Sequence, residues 1–128
     1  MDNKDIYRLP KAELHCHLDG SIRPSTVFQL LQAKGLLPEN CYSEHDVVRL
    51  SSVEVKQKDL KDYLSCFDFS GKAIRGDKSA IERIAYEACV DKFNDGVMYI
   101  EFRQSVVHGK VTHFRQKNFA ANFCQKKT

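Results

Sequence analysis

The stretch Ala12-Glu13-Leu14-His15-Cys16-His17-Leu18, followed at once by Asp19-Gly20, decides the fold. Alternation predicts a strand with Leu14, Cys16 and Leu18 on one side and Glu13, His15 and His17 on the other. Asp19-Gly20 carries turn chemistry and ends it. Residues i and i+2 of a strand share a face and lie about 6.6 Å apart along it. Two imidazoles so placed can converge on one metal ion. Imidazole suits zinc, and a catalytic zinc site keeps one position open for water. Cys16 falls on the opposite face, which removes it as a co-ligand. The triplet alone also fits two polar rings closing a strand end, since a catalytic site uses three protein ligands and two are seen.

Helical periodicity follows the strand. Pro24 suits a first helical position, Val27, Leu30 and Leu31 form a stripe, and Gly35 and Pro38 stop it. Ser43 with Asp46 resembles a capping box for a short helix through Leu50. Asp59 to Phe67 is a third candidate, with Leu60, Tyr63, Leu64 and Phe67 at three-to-four spacing. The clearest helix opens at Ser79, with Glu82 three residues on. Ile81, Ile84, Ala85, Ala88, Cys89 and Phe93 supply its buried stripe, and Asn94-Asp95-Gly96 closes it. Val97 to Arg103, rich in β-branched and aromatic residues, reads as a second strand. The connection is far too long for a hairpin and implies a parallel crossover.

Composition narrows the class. The chain has 128 residues, the size of one domain, and 42% are hydrophobic, ample for a buried core. No stretch approaches the roughly 18 apolar residues that span a bilayer, so no membrane association is expected. Met1 to Pro10 carries Asp2, Lys4, Asp5 and Arg8 without an apolar run, which argues against a secretory signal and for the cytoplasm. The five cysteines, at 16, 41, 66, 89 and 124, include no CxxC pair, so reduced thiols are expected rather than a disulfide framework. The net charge of +3 divides into −2 over residues 1–108 and +5 over residues 109–128, where no Asp or Glu occurs. No nucleic-acid-binding module accompanies that basic tail, and no specific nucleic-acid partner is expected.

Two blocks carry a resemblance. Leu9-Pro10-Lys11-Ala12-Glu13-Leu14-His15-Cys16-His17-Leu18-Asp19-Gly20-Ser21 resembles the opening signature of the adenosine deaminase family. Ile84-Ala85-Tyr86-Glu87, followed by Asp95-Gly96-Val97-Met98-Tyr99-Ile100-Glu101-Phe102-Arg103, resembles the same family's helix and second barrel strand. The resemblance covers residues 7 to 108. It implies an α/β chain forming the N-terminal portion of a (β/α)8 TIM barrel, in the order strand, helices, strand. Catalytic groups of that fold sit at the C-terminal ends of the strands. The expected organisation is 1–108 as the barrel part and 109–128 as a divergent basic tail.

By resemblance, His15 and His17 are two zinc ligands, and Asp19 hydrogen-bonds the ribose 5′-hydroxyl of adenosine. Asp at that position favours a nucleoside over a nucleotide or a free base. Leu60, Tyr63, Leu64 and Phe67 match a hydrophobic lid over the purine, although their spacing equally fits the packed face of an amphipathic helix. Glu101 and Arg103 read as internal structural polar groups.

The family's remaining machinery has no match. There is no HAGE motif, no Gly-His pair and no Asp-Asp pair, and His108 and His113 fit none of those contexts. No general acid or other catalytic residue is assigned, and the zinc site is expected to be incomplete. A barrel of this kind takes about 250 residues, so the chain reads as a truncated form, inactive alone. The alternative is a non-catalytic interaction module, self-associating through exposed barrel edges. The cytidine-type zinc deaminases are excluded, because no His here is followed at i+2 by Glu.

Overall fold

The computed structural model describes residues 9–52 and 59–104. The proposed boundary at 108/109, the basic tail, His108 and His113 lie outside the described residues. Strand β1 (Lys11–His17) leads through a 3-10 turn (Leu18–Gly20) into helices α1 (Pro24–Ala33), α2 (Glu44–Ser51), α3 (Leu60–Ile74) and α4 (Lys78–Asn94), then strand β2 (Val97–Arg103). The two strands are parallel neighbours, as the long connection predicts. Leu18 opens the 3-10 turn instead of closing the strand.

Local chemistry sets the helix ends. Pro24 begins α1, where its missing N–H costs nothing. Gly35 follows with φ 64°, and the Leu36 and Gly35 N–H groups donate to the carbonyls of Leu31 and Gln32. That is a Schellman closure, which needs a left-handed residue. The Ser43 hydroxyl accepts the Asp46 N–H, and the Asp46 carboxylate accepts the Tyr42 N–H, so the α2 cap works in both directions. Helix α3 runs on to Ile74, well past the predicted Phe67. Burial of Ser70, Ala73 and Ile74 outweighs the cost of about 1 kcal/mol for Gly71 in a helix interior.

The start of α4 differs from the sequence reading. Asp77, not Ser79, is the cap: its Oδ1 accepts the Ala80 N–H at 3.0 Å and the Ser79 hydroxyl at 2.7 Å. Asp and Ser cap about equally well, and Asp77 gains a third partner in Lys34 at 3.1 Å. Glu82 pairs with Lys78 instead of reaching back to a cap. Phe93, expected in the buried stripe, is 54% exposed, and Cys89 is half-buried.

The core lies among the helices and against one face of the sheet. Val27, Leu31, Val47, Ile74 and Ile84 are almost wholly buried, joined by Leu18, Cys41, Ala73, Ala80 and Ala88. Each large aliphatic side chain contributes roughly 1.5–3 kcal/mol on burial. Between α1 and α4 runs a polar seam. The Thr26 hydroxyl donates to Glu87 at 2.5 Å, Arg83 donates to Glu87 and Gln29 at 2.8 Å each, and Arg23 forks onto Asp91. Burial pushes the Glu87 carboxyl up, but the Thr26 and Arg83 hydrogen bonds and the nearby guanidinium charges bring it below its ordinary value.

Candidate active site

The site is built on β1, and β1 is not regular. Lys11 pairs with Val97 and Ala12 with Tyr99, so one step along β1 opposes two along β2; Glu13 then pairs with Ile100 and Cys16 with Phe102, so three steps along β1 oppose two along β2 and the register is recovered. The additional residue makes a β-bulge, a feature frequent beside active sites. It breaks the alternation expected from the sequence. Glu13 does not share a face with the histidines; it turns toward α4 and accepts from Lys92 Nζ at 2.6 Å. Leu14 does not join Cys16 and Leu18 either, being 62% exposed while both of those are buried.

His15 and His17 end side by side, as i and i+2 spacing predicts. Their Nε2 atoms stand 3.0 Å apart and their ring centroids 5.0 Å apart. Either one ring donates to the other, or both aim at a shared cation. Two imidazoles on one tetrahedral zinc, with Zn–N near 2.0–2.1 Å, bring their nitrogens to about 3.3 Å. The pair is therefore within a few tenths of an ångström of ligand geometry. Among the described residues no cluster of three or more His, Cys, Asp or Glu side chains converges as a metal site. The donor set suits zinc in kind and supplies two ligands of the three that catalytic zinc uses.

The turn after the strand completes the place. Asp19 lies in it with its Oδ1 3.8 Å from His17 Nδ1, and its side chain is only 17% exposed. Ser21 secures the turn: its hydroxyl donates to the His17 carbonyl at 2.8 Å and lies 3.3 Å from Cys16 Sγ. Cys16 is buried behind the strand, away from the imidazoles, as expected.

Helix α3 meets this turn through Phe67. A Cβ on Gly20 would lie 3.2 Å from Phe67 Cε1 and 3.8 Å from the His17 Cβ. The absence of a side chain at Gly20 thus lets an aromatic ring sit against the turn that carries Asp19. Tyr63 extends the surface, edge-on to Phe67 at 5.3 Å. Leu60, Tyr63 and Leu64 are all exposed. The four residues do line one side of a helix, but the first three are not core. Glu101 and Arg103, expected inside, are half-exposed; Tyr99 donates to Glu101 at 2.9 Å and Arg103 approaches it at 3.5 Å.

Comparison with known proteins bears on this arrangement. The family model described as Adenosine deaminase matches residues 10–112. The chain belongs to the adenosine deaminase family. It is 41% identical over 109 residues to the adenosine deaminase of Xenopus tropicalis, with 82% of this chain and 28% of that one aligned. Against the enzyme of Vibrio atlanticus it is 39% identical over 100 residues, 77% of this chain and 29% of the relative. Among solved structures, the Arabidopsis N6-mAMP deaminase MAPDA superposes with a TM-score of 0.60 at 31% identity, covering 80% of this chain and 29% of that one. The Arabidopsis ADAL complexed with GMP gives 0.57 at 34%, covering 79% and 28%.

The chain thus spans less than a third of the length of the relatives it matches. Its strand–helices–strand unit is the N-terminal part of the TIM-barrel fold of these deaminases. Within that fold, the C-terminal ends of the strands are where catalytic groups gather, and His15, His17 and Asp19 stand at that end of β1. Sequence reading missed the bulge, the Glu13–Lys92 pair and the Gly20–Phe67 contact. Of these, only Gly20 had left a signal, and Asp-Gly had explained it as a turn.

Proposed function

We propose that His15 and His17 are two of the protein ligands of a zinc ion in a site that hydrolyses adenosine to inosine. The observation that carries this reading is the 3.0 Å approach of the two Nε2 atoms at the end of β1, beside Asp19. A bound zinc supplies a Lewis acid that makes water acidic enough to act as nucleophile near neutral pH. Asp19 accepts the 5′-hydroxyl of the ribose. Its carboxylate repels a 5′-phosphate at the same place, which favours the nucleoside over the mononucleotide. Leu60, Tyr63, Leu64 and Phe67 cover the purine and exclude water, which strengthens every polar contact beneath them.

Among the described residues two candidate zinc ligands stand together, and the sequence holds no HAGE motif, whose Glu would be the general acid, a group that contributes about 10²- to 10⁴-fold. The reading therefore includes that these 128 residues do not deaminate adenosine alone. The test combines binding and turnover. With zinc present, adenosine should perturb Tyr63 emission at lower concentration than adenosine 5′-monophosphate does, and ultraviolet absorbance should show no conversion to inosine. Tighter binding of the monophosphate would overturn the role of Asp19. Zinc-dependent turnover abolished by His15→Ala with His17→Ala would overturn the inactivity.

A second reading has one observation in its favour. Leu14, Met98 and Tyr99 are exposed by 62%, 63% and 52% on the two strands. As a non-catalytic module the chain would self-associate through that face. Sedimentation that stays monomeric up to high concentration would remove this reading.

A further inference from the structure

Lys34 follows α1, Lys72 stands on α3, Arg75 lies in the turn after it, and Lys78 opens α4. With Leu36 and Asp77 these four cations line an open hollow of about 650 Å³. Asp77 is the one carboxylate among the described residues of its lining, and Ser79, Ala80 and Lys34 already occupy it. Lys34 is held as well: its Nζ donates to the Ala73 carbonyl at 2.5 Å and to Asp77 at 3.1 Å, which leaves one of its three donors over. Lys78 reaches Glu82 only at 3.6 Å, with both side chains exposed. Among the described residues, the Lys72 and Arg75 side chains have no hydrogen-bond or ion-pair partner.

The hollow thus carries +3, whereas residues 1–108 together carry −2, so the remainder of that stretch carries −5. Positive charge is gathered here against the sign of the chain around it. Like charges brought together from separate elements repel, and a bound anion of high charge offsets that repulsion.

We propose that this hollow binds the polyphosphate group of a small ligand, with Lys72 and Arg75 as its principal contacts. The donors suit phosphate: a guanidinium can fork onto two of its oxygens, and ammonium groups add point charges. A hollow of this size holds more than a lone phosphate, and cations on several elements suit a ligand with charges strung along it. No lining residue is shared with His15, His17, Asp19, Leu60, Tyr63, Leu64 or Phe67. The site is therefore separate from the zinc reading and stands or falls without it.

The probe is tripolyphosphate alone, titrated calorimetrically into the full chain at low salt. One should bind per chain, and more weakly as sodium chloride is raised. Lys72→Met combined with Arg75→Gln should weaken binding on the order of 10-fold or more, since each change removes a charged hydrogen bond. Arg49→Gln, which removes a cation of α2 outside the hollow, should stay within about twofold. The Gly76 and Lys78 amide resonances should shift in the wild type, a readout that needs no variant to fold. Unchanged affinity in the folded double variant would overturn the proposal and assign binding to residues 109–128, whose charge is +5. An equal loss in Arg49→Gln, or shifts that miss Gly76 and Lys78, would overturn it too. So would an oligonucleotide that binds the hollow when tripolyphosphate does not, since the occupant would then be a nucleic acid.

Discussion

The two faces of the small sheet are built to different ends. Toward the helices, the interior is closed: Leu31, Val47, Ile84 and Val27 expose 1% or less. Away from them, Leu14, Met98 and Tyr99 are open, and His15 and His17 are exposed too. Packing on the first face is what can hold the strand, and the groups on the second cost little to change. Stability and chemistry are thus divided across about one strand's thickness. Substitutions should separate the two cleanly.

The largest expected effect is on the closed face. Ile84→Ala leaves a cavity in the core and should cost about 2–5 kcal/mol in denaturant unfolding. His15→Ala on the open face should stay within about 0.5 kcal/mol of wild type. Equal losses from the two would break the comparison.

A smaller effect is expected where the faces meet. Gly20→Val would drive a branched side chain into the Phe67 ring, which already stands 3.2 Å from the Cβ position. Near-ultraviolet circular dichroism from Tyr63 and Phe67 should change, with a stability loss of about 1–3 kcal/mol, as for other overpacked sites. An unchanged spectrum would mean that α3 does not rest on the Asp19 turn.

The smallest effect concerns acid. Asp77 is held well below its ordinary value by the Ser79 hydroxyl, then the Ala80 N–H and Lys34. A depressed folded value means that the stabilisation is fully present above the unfolded pKa, near 3.9. It is lost as pH falls from there through the folded value. Asp77→Asn should therefore flatten the stability profile below about pH 5 and leave its slope near neutrality alone. A change of slope near neutrality would point to another group.

Much of the fold was legible because its signals are local. Pro24, Gly35, the Ser43–Asp46 box and the β-branched run after Gly96 each mark an element end through backbone chemistry. The parallel pairing followed from connection length alone. What was not legible depends on contacts between distant residues. Asp77 displaced Ser79 as cap because Lys34 lies beside it, and nothing in the spacing from 34 to 77 announces that. The irregular pairing of Glu13 to Cys16 and the contact of Glu13 with Lys92 involve residues remote in sequence, so strict alternation assigned Glu13 and Leu14 to the wrong faces. It still paired His15 with His17, since the irregularity falls before Cys16 and leaves their two-residue relation intact. For Leu60, Tyr63, Leu64 and Phe67, spacing alone fitted two surfaces, and exposure of the first three separates those three from the core.

The central claim is that the imidazole pair is a metal-binding half-site held on an already folded strand. Zinc titration against a competing chelator, with histidine ring resonances followed in parallel, tests it most directly. One zinc per chain should bind, shifting His15 and His17 together and leaving His45 unmoved, and His17→Ala should abolish binding without unfolding the protein. Binding that survives in His17→Ala, or zinc shifts confined to His45, would contradict the account.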